Sequence, residues 1–224
     1  MYKIFITIKE NSQRVKKKNF IKFKNNIPLF KLLIYKLNKF KIFVDTDSKK
    51  IMKSIINDKL IKNTTIYLRD KRFIDMENQG KSPGPYMIEN FLKKYVKNEN
   101  EPIIHAHVTS PFLMQKTLMS ALKYMNKGYD SVTSCNKINK IAFLNDKQIK
   151  PINFKFNQQH SRTQNLKSIY IINSAFFIFR KKFFMKKLNR ISRNNHFFEL
   201  KFPEYIDIDE KEDVVITRLA KKYL

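Results

Sequence analysis

A three-layer α/β domain on a mostly parallel central sheet is the fold predicted for this chain of 224 residues. Three observations predict it. Short apolar runs rich in β-branched and aromatic residues recur along the chain, stretches with helical spacing separate them, and only three Gly and seven Pro interrupt the pattern. Strand alternating with helix is most economically satisfied by a parallel sheet covered on both faces. The length suits one domain spanning 1–224, with no linker rich in Gly or Ser to divide it.

The runs read as strands are YKIFITI (2–8), KIFVDT (41–46), TTIYL (64–68), PIIHAHV (102–108), DSVTSC (130–135), YIINSAFFIF (170–179) and EYIDID (204–209). Each is short and bounded by polar residues, as buried strands are. Helical spacing is found over 28–40, 48–58, 86–98, 113–127 and 211–224. In the last of these Val214, Val215, Leu219 and Leu224 form an apolar stripe among lysines. Residues 136–168 have neither period and read as an insertion or flap.

In sheets of this type ligands sit at the carboxyl ends of the strands, where loops converge and helix N-termini point N–H groups outward. Four segments fall there: the loop after Ile8, DTDS after Val44, TSPF after Val108, and IDIDEKED. The first loop, KENSQRVKKKN (9–19), lacks GxxxxGK[ST] and GxGxxG, yet its strand-loop-helix position suits phosphate. Its donors are Asn11, Ser12, Asn19 and several cations. A solvated basic loop is the competing reading.

Asp207 and Asp209, at i and i+2 on an extended segment, leave the same face, so two carboxylates converge. Such a pair is relieved by a divalent cation, and oxygen ligands beside phosphate suit Mg²⁺. Capping of the last helix competes for Asp209, Glu210 and Asp213 but explains Asp207 poorly. In DTDS, Asp47 or Ser48 is an ordinary N-cap. His105 and His107 lack a near third ligand for zinc, since His160 lies in the flap and His196 far along. His107, leading into Thr109 and Ser110, reads better as a substrate contact.

The net charge of +27, from 46 Lys+Arg against 19 Asp+Glu, favours anionic partners such as nucleic acid, anionic membrane or phosphorylated small molecules. It is spread end to end among Asn, Ile, Phe and Tyr, so A/T-rich coding is a rival explanation. The single Cys135 offers no intrachain disulfide and no cysteine cluster, and it reads as a small buried residue in a reducing compartment. No apolar run approaches ~20 residues, and the N-terminus lacks the features of a secretory signal. A soluble, cytoplasmic protein is the expectation.

Together these segments resemble the cytidylyltransferases that activate acidic sugars, the CMP-sialic acid synthetases and their relatives. The family loop A-R-x-x-S-K-x-x-x-x-K-N is similar to IKENSQRVKKKN, with Lys9 for Arg, Ser12 kept, Gln13 for Lys, and Lys18 and Asn19 kept. V-S-T-D corresponds to VDTD (44–47), LRP to LRD (68–70), Q-P-T-S-P to HVTSP (107–111), D-S-V-x-S to DSVTS (130–134) and N-G-A-x-Y to NSAFF (173–177). I-D-I-D is unchanged at 206–209. The matches are colinear over nearly the whole chain.

The resemblance implies a single Rossmann-like nucleotidyltransferase domain with a small dimerisation insertion at 136–168. It implies a Mg²⁺-dependent reaction of CTP with a 2-keto-3-deoxy sugar acid, giving the CMP-sugar and pyrophosphate. Lys18 and Asp209 are then catalytic, and Asp207 and Asp209 hold the metal. Lys9, Asn11, Ser12, Lys18, Asn19, Arg69 and Ser110 bind nucleotide; His107, Gln164 and Asn173 bind the sugar. Sialic acid or a related nonulosonic acid is the implied substrate, and a homodimer the implied assembly. The alternatives are the eight-carbon acid Kdo as substrate, or a basic nucleic-acid-binding protein on a catalytically degenerate scaffold.

Overall fold

A computed structural model describes residues 1–156 and 162–224. His160 lies outside them. The core is a seven-stranded sheet of β1 (Lys3–Ile8), β2 (Lys41–Thr46), β3 (Thr64–Leu68), β4 (Pro102–Ala106), β5 (Ser131–Ile138), β8 (Ile169–Arg180) and β9 (Asn195–Glu199), ordered β3-β2-β1-β4-β8-β5-β9. Only β8 runs against its neighbours. The carboxyl ends of β1, β2 and β3 are in register, Ile8 beside Thr46 and Thr46 beside Leu68, so their loops emerge on one edge.

The apolar runs form strands because both faces are covered. On one face α1 (Leu29–Lys36), α2 (Lys49–Ile56) and α5 (Gln115–Met125) pack Leu33, Ile51 and Leu118 against Ile4, Ile6 and Ile104. On the other, α3 (Lys71–Asn78), α4 (Gly84–Tyr95) and α6 (Lys181–Lys187) pack Phe73, Phe91 and Phe184 against Phe5, Ile103 and Phe179. Phe5 stacks on Phe91 at 4.6 Å. Each such side chain contributes about 1.5–3 kcal/mol by leaving water. A hairpin of β6 (Phe143–Asn145) and β7 (Ile149–Pro151) forms a separate two-stranded sheet within the expected insertion, whose first residues, 136–138, instead extend β5 in the central sheet.

Three expectations are corrected. Residues 204–209 are extended but belong to no sheet. The place beside β5 is taken by β9, whose mixed sequence NHFFE hid it, and the Ile208 N–H donates to the Thr109 carbonyl, at 2.8 Å, outside any ladder. The stripe on α7 (Lys211–Leu219) is only partly buried: Val214 is inside, whereas Val215 and Leu219 face out. Helices α3 and α6, which the apolar spacing did not reveal, cover the second face. No helix among the described residues is long and apolar enough to cross a membrane.

Candidate active site

The first loop and the IDID segment meet although about 190 residues separate them in sequence. Apolar contacts bring them together: Val15 in the loop, Leu29 and Leu32 on α1, Ile208, and Val214 on α7 form one buried cluster. Inside the loop Lys17 turns the chain at φ 53°, in the left-handed region. Asn19 closes the loop by donating Nδ2 to the Lys9 carbonyl at 2.7 Å.

Lys18 is the centre of this junction. Its ammonium is almost fully buried and donates to the Ile208 carbonyl at 2.6 Å and to Asp209 Oδ1 at 3.0 Å. Arg14, on the same loop, reaches Asp209 at 2.9 Å and Glu210 at 3.0 Å. Burial by itself would raise the Asp209 carboxyl, but Lys18 and Arg14 bring it below the ordinary aspartate value. Asp207 differs. Burial chiefly, and the Asp209 charge next to it, lift its carboxyl above the ordinary value against the hydroxyls of Thr109 and Ser110 and the charge of Lys18.

Helix capping draws on other residues. The side chain of Asp213 accepts from the N–H groups of Asp209 and Glu210, and Glu210 completes a capping box on α7. The carboxylates of Asp207 and Asp209 are therefore not used as caps. They share the wall of a cavity of about 410 Å³ with Asn136, Asn173 and Tyr205. Burial still alternates without a strand: Ile206 and Ile208 are buried, whereas Asp207 and Asp209 are partly exposed.

Two more cavities adjoin the loop. One of about 290 Å³ is lined by Lys9, Asn11, Ser12, Lys18, Asn19 and Thr109 among others. The larger, about 580 Å³, is lined by Lys9, Arg69, the Gly80–Pro85 turn, His105, His107 and Arg190. They share Thr7, Lys9, Gln13 and His107, so they form a continuous groove over the ends of β1 and β4.

Several residues singled out from sequence sit differently from their expected surroundings. Arg69 has no exposed side-chain surface. Its Nε donates to Asp45 at 2.7 Å and its Nη1 to Glu77 at 3.2 Å, while Nη2 has no partner among the described residues. Ser110 is fully buried and donates to Asp207 at 3.3 Å, so it positions the carboxylate and lines none of these cavities. His107 belongs to the loop-side groove and is absent from the wall that carries Asp207 and Asn173. Burial, with Arg190 near, pulls its imidazole down to about 4, so it is neutral at pH 7. Gln164 is exposed in a 3-10 turn (Thr163–Asn165) and lines none of the three cavities. Lys9 pairs with Glu77 at 2.9 Å.

Asn173 shapes a bulge in β8. It donates to Asn136 at 2.7 Å and accepts from the Ala175 N–H at 3.3 Å, and the register against β5 shifts there. Ser174, where the family pattern has Gly, holds φ 58°.

Sequence reading missed Asp45, Glu77 and Arg190. Asp45 was dismissed with the N-cap of α2, a role that Ser48 performs through its Oγ to the Ile51 N–H. Nothing distinguished Arg190 from the other 45 Lys and Arg.

No protein-family model matches this chain, and no curated protein sequence does. Solved structures of similar fold include CMP:2-keto-3-deoxy-manno-octonic acid synthetase complexed with CTP, at 13% identity and TM-score 0.65, covering 100% of both chains. Another is 4-diphosphocytidyl-2C-methyl-D-erythritol synthase from Anaerococcus prevotii, at 11% identity and TM-score 0.66, covering 99% of this chain and 96% of that one. A further 4-diphosphocytidyl-2C-methyl-D-erythritol synthase matches at 8% identity and TM-score 0.64, over 97% and 98%. At these identities the likeness is one of fold: a Rossmann-like α/β domain with a mostly parallel sheet.

Proposed function

We infer that this protein is a cytidylyltransferase that joins CTP to an acidic 2-keto-3-deoxy sugar, giving the CMP-sugar and pyrophosphate. The observation that carries this reading is the junction of the buried Lys18 with the IDID segment, between a cation-lined loop and a cavity walled by Asp207 and Asp209. The likeness of fold to a synthetase solved with CTP supports it, and that neighbour's octonic acid keeps Kdo beside sialic and other nonulosonic acids as the sugar.

In the proposed reaction the anomeric hydroxyl of the sugar attacks the α-phosphorus. A new O–P bond forms as the bond to the β-phosphate oxygen breaks and pyrophosphate leaves. Such a transfer depends on positioning and charge neutralisation. Lys9 and Lys18, with Ser12, Asn11 and the loop N–H groups, would neutralise and hold the triphosphate. Asn19 keeps that loop closed, and Arg69 supports the nucleoside end of the groove. Asn173 lines the sugar side, and Ser110 orients Asp207.

The donors fit Mg²⁺. Asp207 and Asp209 supply hard oxygen on one wall, and burial first, with the Asp209 charge beside it, holds the Asp207 carboxyl above its ordinary value. Among the described residues no group of three potential ligand side chains occurs, which suits an ion that takes one or two carboxylates and completes its shell with phosphate and water. When bound, Mg²⁺ would neutralise phosphate charge and polarise the attacking hydroxyl. Lys18 and Arg14 balance Asp209, and an incoming triphosphate would compete for the same cations.

The expected homodimer would use the insertion, whose Phe143, Leu144, Ile149 and Phe156 are exposed.

The deciding experiment is pyrophosphate release with CTP, Mg²⁺ and a panel of sialic, legionaminic, pseudaminic and Kdo acids. Turnover with one of them is expected. Silence across the panel, together with oligonucleotide binding that weakens steeply with salt, would transfer the net charge of +27 to a nucleic-acid role.

A further inference from the structure

Arg190 enters the 580 Å³ cavity from the segment after α6. Leu188 ends that helix at φ 48°, in the left-handed conformation, with its N–H bonded to the Phe184 carbonyl, and this turns the chain back toward the sheet. The guanidinium lies 3.8 Å from the centre of the Phe177 ring, and Nη1 stands 3.0 Å from His105 Nδ1. Among the described residues that ring and that imidazole are its partners, and no carboxylate pairs with it. Burial pulls it down to about 10. A half-buried cation on a cavity wall without a counter-charge is costly to the fold and is matched when a ligand supplies an acceptor.

His105 extends the same argument. Arginine can only donate, so Nδ1 of His105 must accept, and the ring's proton then resides on Nε2. That Nε2–H is buried and has no acceptor among the described residues, and His105 itself is about 95% buried, packed on Phe5 at 5.6 Å between ring centres. Arg69 adds a third unmatched donor, Nη2, on the same cavity. Lys9 and Arg69 are already paired with Glu77, and the exposed Lys81 reaches the Gln79 side-chain oxygen, which leaves Arg190 as the half-buried lining cation without a carboxylate among the described residues.

We propose that Arg190, with His105 held in its donor tautomer, is the specificity-determining pair that binds the acceptor edge of the nucleotide's pyrimidine ring, its O2 and N3 atoms. The proposal rests on the cytidylyltransferase reading, which puts the triphosphate at the adjoining 290 Å³ cavity and so the base in the larger one. Sites that present fixed, buried donors reject ligands lacking the matching acceptors far more strongly than apolar pockets do.

The test compares CTP with inorganic tripolyphosphate by isothermal titration calorimetry on wild-type protein, Arg190→Met and Arg190→Lys, with thermal midpoints recorded for each. For Arg190→Met the CTP dissociation constant is expected to rise about 10- to 100-fold, as for loss of a charged hydrogen-bond donor. Tripolyphosphate, which has no base, should bind within about twofold of wild type, since Lys9 and Lys18 remain. Arg190→Lys keeps the cation but loses the fork, guards against a variant that fails to fold, and should also lose CTP affinity selectively. Equal losses for both ligands, or unchanged CTP binding, would overturn the assignment of Arg190 alone. Wild-type protein that binds tripolyphosphate but no better with a nucleoside attached would overturn the cytidylyltransferase reading, and the assignment with it.

Discussion

Two aspartate pairs of identical spacing, Asp45 and Asp47 in VDTD and Asp207 and Asp209 in IDID, have opposite fates. Asp45 is buried against Arg69, and Asp47 accepts the Glu10 N–H at 2.7 Å, so both carboxylates of the first pair are committed to the protein. In the second pair Asp209 is answered by Lys18 and Arg14, whereas Asp207 receives only hydroxyl donors and stands on a cavity wall. Burial raises both Asp45 and Asp207, yet only Asp45 has a direct ion-pair partner. A D-x-D pattern is therefore tied into the structure or left on a cavity wall according to which cations the fold brings to it.

The contrast can be broken most directly at the second pair. Asp209→Asn is expected to lose on the order of 10³-fold in turnover, since a metal held there would contribute several kcal/mol to the transition state. Its denaturation midpoint should move little, because the side chain is 40% exposed and its ion pairs are worth little in water. Near wild-type turnover with Mg²⁺ supplied would remove the aspartate from the reaction.

The first pair should respond in the opposite way. Asp45→Ala leaves the Arg69 guanidinium, with no exposed side-chain surface, deprived of its closest acceptor, and about 3 kcal/mol of stability is expected to go. Urea denaturation measures it; an unchanged midpoint would mean that Glu77 alone satisfies Arg69.

Lys18→Ala is expected to lower turnover about 10²-fold, as for loss of one preorganised charge. Binding of pyrophosphate to the variant, followed by calorimetry, should weaken in parallel. If it does not, the phosphate site lies away from this loop.

The smallest effect concerns pH. The folded protein holds Asp209 below its ordinary value, so the carboxylate adds stability above that value, and the contribution fades as pH falls through the lowered one. Asp207, raised in the fold, acts with the other sign: its ionisation costs the native state, so Asp207→Asn should leave neutral stability unchanged or slightly higher. Thermal midpoints from pH 3 to 7 should show the difference between wild type and Asp209→Asn shrinking toward acid, by under about 1 kcal/mol in total. A difference that grew toward acid would mean the pair with Lys18 is not formed in solution.

Much of the fold was legible in sequence because burial on both faces of a parallel sheet leaves continuous apolar runs, and six of the seven predicted runs are strands. The seventh, at 204–209, has the same composition but not the same neighbours. An extended segment becomes a strand only where a free edge exists, and β9 occupies that edge. The cation-lined loop was legible from its place after β1. Its partners were not: Arg14 looked like any surface cation, and no pattern marks Arg190 among so many lysines and arginines.

By itself, then, the sequence determined the α/β class, the loop after the first strand and the aspartates of IDID, since these depend on local period and on what lies next along the chain. The tertiary structure alone decided which charges meet. Lys18 with Asp209, Arg69 with Asp45 and Glu77, and Arg190 with His105 join residues from different elements. Coulombic and hydrogen-bond energies depend on a few ångströms of separation and on burial. Both are set by how the helices and loops pack on the sheet.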